Sequence, residues 1–215
     1  MAATNYTELI ARLRVEANDT SESNFKPGDT PVGTRDASNK VFRLAYPNPV
    51  SASLRLTYGT TIRSATGFTL LDSASGYVQL TNAPDSGATQ PFFFDYFYQW
   101  FTDADLQKML DGATEDLGGV AGTDLEAGLY SAQVQFALAR FWKRRASTYA
   151  HLYATTGGNA SASPESVTAQ FLSLAKAATN EGVRLMTAFY TRHGKRNAPA
   201  SGTITHKISP YTPRR

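Results

Sequence analysis

Three histidines, His151, His193 and His206, are the only imidazoles in this 215-residue chain, and no two stand at a metal-ligand or triad spacing. Carboxylates are more plentiful. Asp103 and Asp105 sit just ahead of an apolar run, where acids cap a helix and complement its dipole. Asp111, Glu115 and Asp116 follow in a polar stretch with no apolar surroundings to tune a carboxylate for proton transfer. There is no cysteine, which excludes thiol catalysis, cysteine-ligated zinc and disulfides. The chain carries no P-loop, dinucleotide fingerprint, nucleophile elbow or calcium loop. These residues offer no active site, so the chain is expected not to be an enzyme and to use neither cofactor nor metal.

Binding surfaces are better represented. Arg140, Lys143 and Arg144 recur at spacings of three and four and so share one face of a helix, with Arg145 beside them. Such a face is either simply solvated or turned to DNA phosphates or an acidic protein surface. Arg184, Arg192, Lys195 and Arg196, in and after the next helix, would make that end of a bundle positive as a whole. No helix-turn-helix or zinc finger accompanies them, so sequence-specific DNA binding is not expected. From Phe92 to Phe101 aromatic residues fall on both faces of a strand, whereas a strand in a small sheet has one wet face. Phe93, Tyr96, Phe97 and Tyr98 are therefore candidates for a subunit interface, with burial in the core as the equal alternative.

The elements that must position these residues follow from periodicity. A first helix is expected over residues 5–17, capped by Asn5 with Glu8 three residues on, and with Leu9, Leu13 and Ala17 on one face. Residues 19–38 are rich in Asp, Ser, Thr, Gly and Pro and read as loop. From Val41 to Phe101 the period becomes two, with strands over 54–58, 67–71, 77–80 and from Gln90 onward, and a turn over 82–87. Thr102 with Asp105 opens a short helix to about Asp111 and Gly112. Thr123 with Glu126 forms a second capping box, opening a helix to about Thr156 with Val134, Leu138, Phe141, Tyr149 and Leu152 inward, ended by Gly157 and Gly158. Ser163 and Pro164 start the last helix, which Gly194 closes. Val167, Phe171, Leu174, Ala178, Gly182, Leu185 and Phe189 line one face of it, and Ala178 and Gly182 admit a close neighbour. The expected fold is α+β, mainly α: a helical bundle (1–40 and 100–194) built on a long antiparallel αα-hairpin on the order of 40 Å in length. A small antiparallel β insertion (41–99) lies between helices 1 and 2. A basic extended C-terminal arm (195–215) follows, with five Lys or Arg, three prolines and no acid.

The net charge of +3 conceals a split. Residues 1–139 hold 9 Lys or Arg against 16 Asp or Glu, a balance of −7, and residues 140–215 hold 12 against 2, a balance of +10. Such polarity suits head-to-tail stacking or a basic face turned to an acidic partner, although two merely solvated halves would look the same. No secretory signal is expected at the polar N-terminus. The densest apolar stretch, 91–101, is interrupted by Asp95 and Gln99 and falls short of the roughly 20 residues of a membrane helix. The lack of cysteine suits a reducing cytoplasm.

Two segments resemble the head-to-tail connector (adaptor, or head-completion) proteins of tailed phages. Gly76-Tyr77-Val78-Gln79-Leu80-Thr81-Asn82-Ala83-Pro84-Asp85-Ser86-Gly87 is similar to the strand and Ala-Pro turn of the β insertion in many phage structural proteins. Trp100-Phe101-Thr102-Asp103-Ala104-Asp105-Leu106-Gln107-Lys108-Met109-Leu110-Asp111-Gly112-Ala113 is similar to the family's opening of helix two. The larger β insertion and the long basic tail depart from the compact members. The resemblance implies a structural subunit that performs no chemistry. It implies a dodecameric ring around genomic double-stranded DNA, with the portal on one face and a stopper or tail-terminator ring on the other. The location implied is the virion neck, after assembly in the host cytoplasm. In that picture the arm, with Lys195, Arg196, Ile204, Lys207, Ile208, Tyr211, Arg214 and Arg215, docks on the portal. Its alternating segment 203–209 could extend a sheet edge there. Arg140, Lys143 and Arg144 would face the DNA channel or an acidic partner. A DNA-binding protein without sequence preference and another neck or tail component, such as a tail terminator, are the alternatives.

Overall fold

The computed structural model describes residues 6–59, 61–64, 67–84, 91–123, 125–156 and 164–193. They form a mixed α/β fold of four α-helices and two small antiparallel sheets, and about half of the described residues are helical. The helices are α1 (Tyr6–Glu16), α2 (Asp103–Asp116), α3 (Tyr130–Thr156) and α4 (Pro164–Arg192). The strands are β1 (Asn24–Asp29), β2 (Val41–Arg43), β3 (Arg55–Tyr58), β4 (Thr61–Ser64), β5 (Phe68–Asp72), β6 (Tyr77–Leu80) and β7 (Phe92–Tyr98).

One sheet has the order β1-β7-β3-β4 and the other β2-β6-β5. Alternation in β7 turns Phe92, Phe94, Tyr96 and Tyr98 inward, and the rings of Phe92 and Phe94 meet Phe42 and Phe68 of the second sheet edge-on at 5.0 and 5.4 Å. The first strand is a correction, because 19–38 reads as loop. Pro27 and Gly28 break the pattern of β1, yet β1 is an edge strand, where a missing N–H is tolerated. Its register with β7 shifts between Lys26 and Asp29, and Gly28 there adopts φ +59 and donates its N–H to Asp95. The β region thus begins before residue 41, and the strands among the described residues number seven rather than four.

Thr102 caps α2 in a reciprocal box with Asp105, as the sequence indicates. The helix runs past the expected stop at Gly112, because Ala113, Thr114 and Leu117 continue the buried face. It ends in a Schellman turn, where Gly118 at φ +80 lets the Gly119 N–H reach the Thr114 carbonyl at 3.0 Å. The second expected capping box does not open α3. The Thr123 hydroxyl donates to the Val120 carbonyl at 2.5 Å, a 3₁₀ turn occupies Ala127–Leu129, and α3 starts at Tyr130. Asn5, Asp124, Gly157, Gly158, Ser163, Gly194 and the end of the 82–87 turn lie outside the described residues, as does the Leu152 side chain.

α3 is the helix around which the others gather: α1 and α2 pack on it and on each other, and α4 packs on it and on the 3₁₀ turn. A Cβ on Gly182 would stand 3.2 Å from the Phe136 ring, and one on Gly128 would enter the Phe189 ring at 2.5 Å. Phe171 stacks on Trp142 at 5.7 Å. Along α4, Phe171, Gly182 and Phe189 thus meet Trp142, Phe136 and Gly128 in turn. The α4 stripe differs from expectation at one place: Leu174 is 45% exposed and Ala175 is buried instead. The close fit over Gly182 and Phe136 selects a line through Phe171, Ala175, Ala178, Gly182 and Phe189, leaving Leu174 on its shoulder.

Candidate interaction surfaces

The cationic face of α3 is largely neutralised by its own neighbour. Arg140 donates to Asp116 and to the Gly112 carbonyl, both at 2.8 Å. A Cβ on Gly112 would lie 2.9 Å from the Arg140 guanidinium carbon, so the glycine makes room for that group. Arg144 pairs with Asp105 at 2.9 Å and lies over the Phe101 ring at 5.0 Å. Partial burial pushes the Asp105 carboxyl up, but the Thr102 hydroxyl and Arg144 outweigh it and hold it below the usual carboxylate range. Lys143 is exposed. Two of the three candidate channel cations therefore already have carboxylate partners on α2, the acids that the sequence assigns to capping and to a loose loop.

Arg184 pairs with Glu181 at 2.6 Å and lies two residues beyond Gly182, which meets Phe136 near the start of α3. Since Phe189 covers Gly128 while Trp142 meets Phe171, Arg192 lies level with the start of α3 and Arg144 with its middle, so among the described residues these cations are not gathered at one bundle end.

Arg145 turns inward instead. Its guanidinium lies 4.5 Å from the Trp100 ring centre, 4.8 Å from Phe171 and 5.2 Å from Trp142. Burial lowers its pKa, while Asp19 and Tyr98 favour the charge. Asp19 itself is fully buried and accepts from the Trp100 N–H at 2.8 Å, Asn24 Nδ2 at 3.1 Å and Arg14 Nη1 at 3.2 Å. Burial pushes its carboxyl up to about 6 against these donors. Arg14 also reaches Asp103 at 2.6 Å and the Phe101 carbonyl at 3.1 Å. The network joins α1, the start of β1, the β7–α2 junction and α3. Sequence reasoning missed it; the one available signal was Arg14 adjoining Leu13 on the inward side of α1.

The aromatic candidates divide by face. Tyr96 is fully buried and donates to Asp29 at 2.7 Å; Tyr98 is buried and stacks on Tyr46 at 4.2 Å. Burial, with Asp29 beside Tyr96 and Tyr46 beside Tyr98, pushes both phenols up. Neither can be a subunit interface within this fold, because strand alternation sends both into the core. Phe93 and Phe97 are half-buried on the other face, where Phe97 meets the exposed Phe25 at 5.0 Å.

The eight arm residues, from Lys195 to Arg215, lie outside the described residues, as do His206 and the His151 side chain. His193 stacks on Phe189 at 4.2 Å, with Nδ1 2.9 Å from the Phe189 carbonyl. Among the described residues no group of three or more His, Cys, Asp or Glu could hold a metal ion, and no helix is long and apolar enough to cross a membrane. Two hollows, of about 330 Å³ beside Arg43, Tyr77 and Thr148 and about 180 Å³ beside Tyr58, Pro84 and Phe92, contain neither a carboxylate nor a histidine in their walls. Comparison with protein-family models, with curated proteins and with solved structures finds no match.

Proposed function

We propose that this chain is a head-to-tail connector subunit of a tailed phage. Its copies form a dodecameric ring that docks on the portal, surrounds the DNA channel and presents a platform for the next neck or tail ring. In this reading the helical part is a bundle on an antiparallel αα-hairpin, with the β unit inserted between the first two helices. The observation that carries it is the order of elements: one short helix, a β unit, a capped helix, then two long packed helices ahead of a cationic arm.

Charge supports the arm as the docking element. Residues 1–193 hold 16 Lys or Arg against 18 Asp or Glu, a balance of −2, whereas 194–215 hold five against none. The cations left for an acidic partner are thus concentrated after the last helix, since Arg140 and Arg144 are occupied within the fold. The same pairing disfavours the second reading, a DNA-binding protein without sequence preference. Deleting residues 195–215 tests the proposal. The shortened chain is expected to keep its thermal unfolding transition and to lose binding to the portal of the same phage; retained binding would refute the arm's role.

A further inference from the structure

We propose that Arg145 is an acid-released bolt between the β unit and the α3–α4 pair: its guanidinium stays seated while Asp19 is ionised and swings out to solvent when Asp19 takes a proton. The proposal does not depend on the connector reading. Three rings from three parts of the fold close on this one group: Trp100 after β7, Trp142 of α3 and Phe171 in the first turns of α4. Ring faces attract a cation but carry no net charge to balance it. Among the described residues no carboxylate bonds to Arg145, and its Nε is buried without a hydrogen-bond partner. Arg12, Arg14, Arg140, Arg144 and Arg184, by contrast, each hold a carboxylate oxygen at 2.6 to 2.9 Å. The seat of Arg145 therefore depends on a charge that does not touch it, and Asp19 supplies that charge.

The groups facing Asp19 come from every element around it. α1 brings Arg14, β1 brings Asn24, the β7–α2 junction brings the Trp100 N–H, and α3 brings Arg145. Tyr98 of β7 is the other titratable neighbour, and burial pushes its phenol up, so it stays neutral. Asp103 of α2 is held by Arg14. When Asp19 is protonated, Arg14 thus keeps a carboxylate partner and Arg145 keeps none. Linkage sets the direction of the response. A seated Arg145 favours the ionised carboxylate of Asp19, so Asp19 binds a proton more tightly once Arg145 has left. By reciprocity, a proton on Asp19 favours the withdrawn position. Burial brings this exchange to about pH 6, above the ordinary carboxylate range. Arg145 is only partly buried, and its long stem lets the head group reach water without unwinding α3. Asp19 stays inside the fold in both positions, so acid releases Arg145 while still favouring the folded chain.

Both tryptophans of the chain line the seat, so acrylamide quenching of their emission in the full-length protein reads whether it is filled. Wild type should show a reversible rise in quenching between pH 7 and pH 5 with a midpoint near 6, at constant far-UV circular dichroism. Asp19→Asn, neutral at every pH, should quench at the acid level throughout. Arg145→Met fills the seat without a charge and should stay at the neutral-pH level throughout. Circular dichroism checks that each variant folds, and either one alone decides the matter. Flat quenching in wild type, or a transition that survives in either variant, would overturn the proposal. Histidines titrate in the same range. Replacing His151, His193 and His206 with glutamine should leave the transition in place, and its loss there would assign it to an imidazole and overturn the role of Asp19.

Discussion

Asp19 is the residue whose role is least visible in the amino-acid order, because a carboxylate just past a helix end looks like the start of a loop. Its burial depends on Trp100, 81 positions later, whose N–H it accepts. Folding raises its pKa from an ordinary 3.8 to about 6, so the folded state takes up a proton that the unfolded state does not hold. The stability linked to this group is fully present below pH 4 and is lost as pH rises through 6. Between pH 7 and pH 5 the protein should gain roughly 1 kcal/mol from it. Urea unfolding of wild type and Asp19→Asn at both pH values checks this: the gain should vanish in the variant. Arg140 and Arg144 show the converse case. Spacing places them correctly on one face of α3, but α2 binds both, a contact across 24 and 39 positions that no local pattern encodes. Replacing either with alanine should cost less than about 1 kcal/mol, as partly exposed ion pairs do. Retention on duplex DNA at 50 mM salt should not change; a drop in both variants would restore the DNA-binding alternative.

At the scale of elements, legibility followed the strength of local signals. The Thr102–Asp105 box announced α2, Pro164 the start of α4, and period-two runs the strands β3, β5, β6 and β7. β1 escaped notice because Pro27 and Gly28 are loop residues everywhere except at a bulged sheet edge, and β4 because four residues between turns carry little pattern. The start of α3 was misplaced because the Thr123 hydroxyl can either accept a helix N–H or donate to a carbonyl; here it donates to Val120, beside a turn at Gly122 with φ +75. Thr102→Ala removes the hydroxyl half of a real box, leaving the residue-102 N–H to Asp105, and should lower stability by about 1 kcal/mol in thermal or urea unfolding. Gly182→Leu drives a side chain into the Phe136 ring, and should cost about 1–3 kcal/mol despite leucine's better helix propensity. An unchanged melting temperature in that variant would mean that α4 does not lie this close to α3.

For the whole molecule, the −7 and +10 halves of the sequence take on a different meaning once ion pairs are assigned. Arg140, Arg144 and Arg184 of the cationic half have carboxylate partners within the helices, and the sequence after the last helix has five cations and no acid of its own. A body of nearly balanced charge with a cationic arm suits a subunit that is soluble alone and assembles on an acidic template. The most direct measurement is the native mass of the purified chain at micromolar concentration, alone and mixed with the portal ring of the same phage. The connector account expects a monomer alone and a discrete complex with many copies per portal ring. A monomer indifferent to portal that instead binds duplex DNA at moderate salt would contradict it.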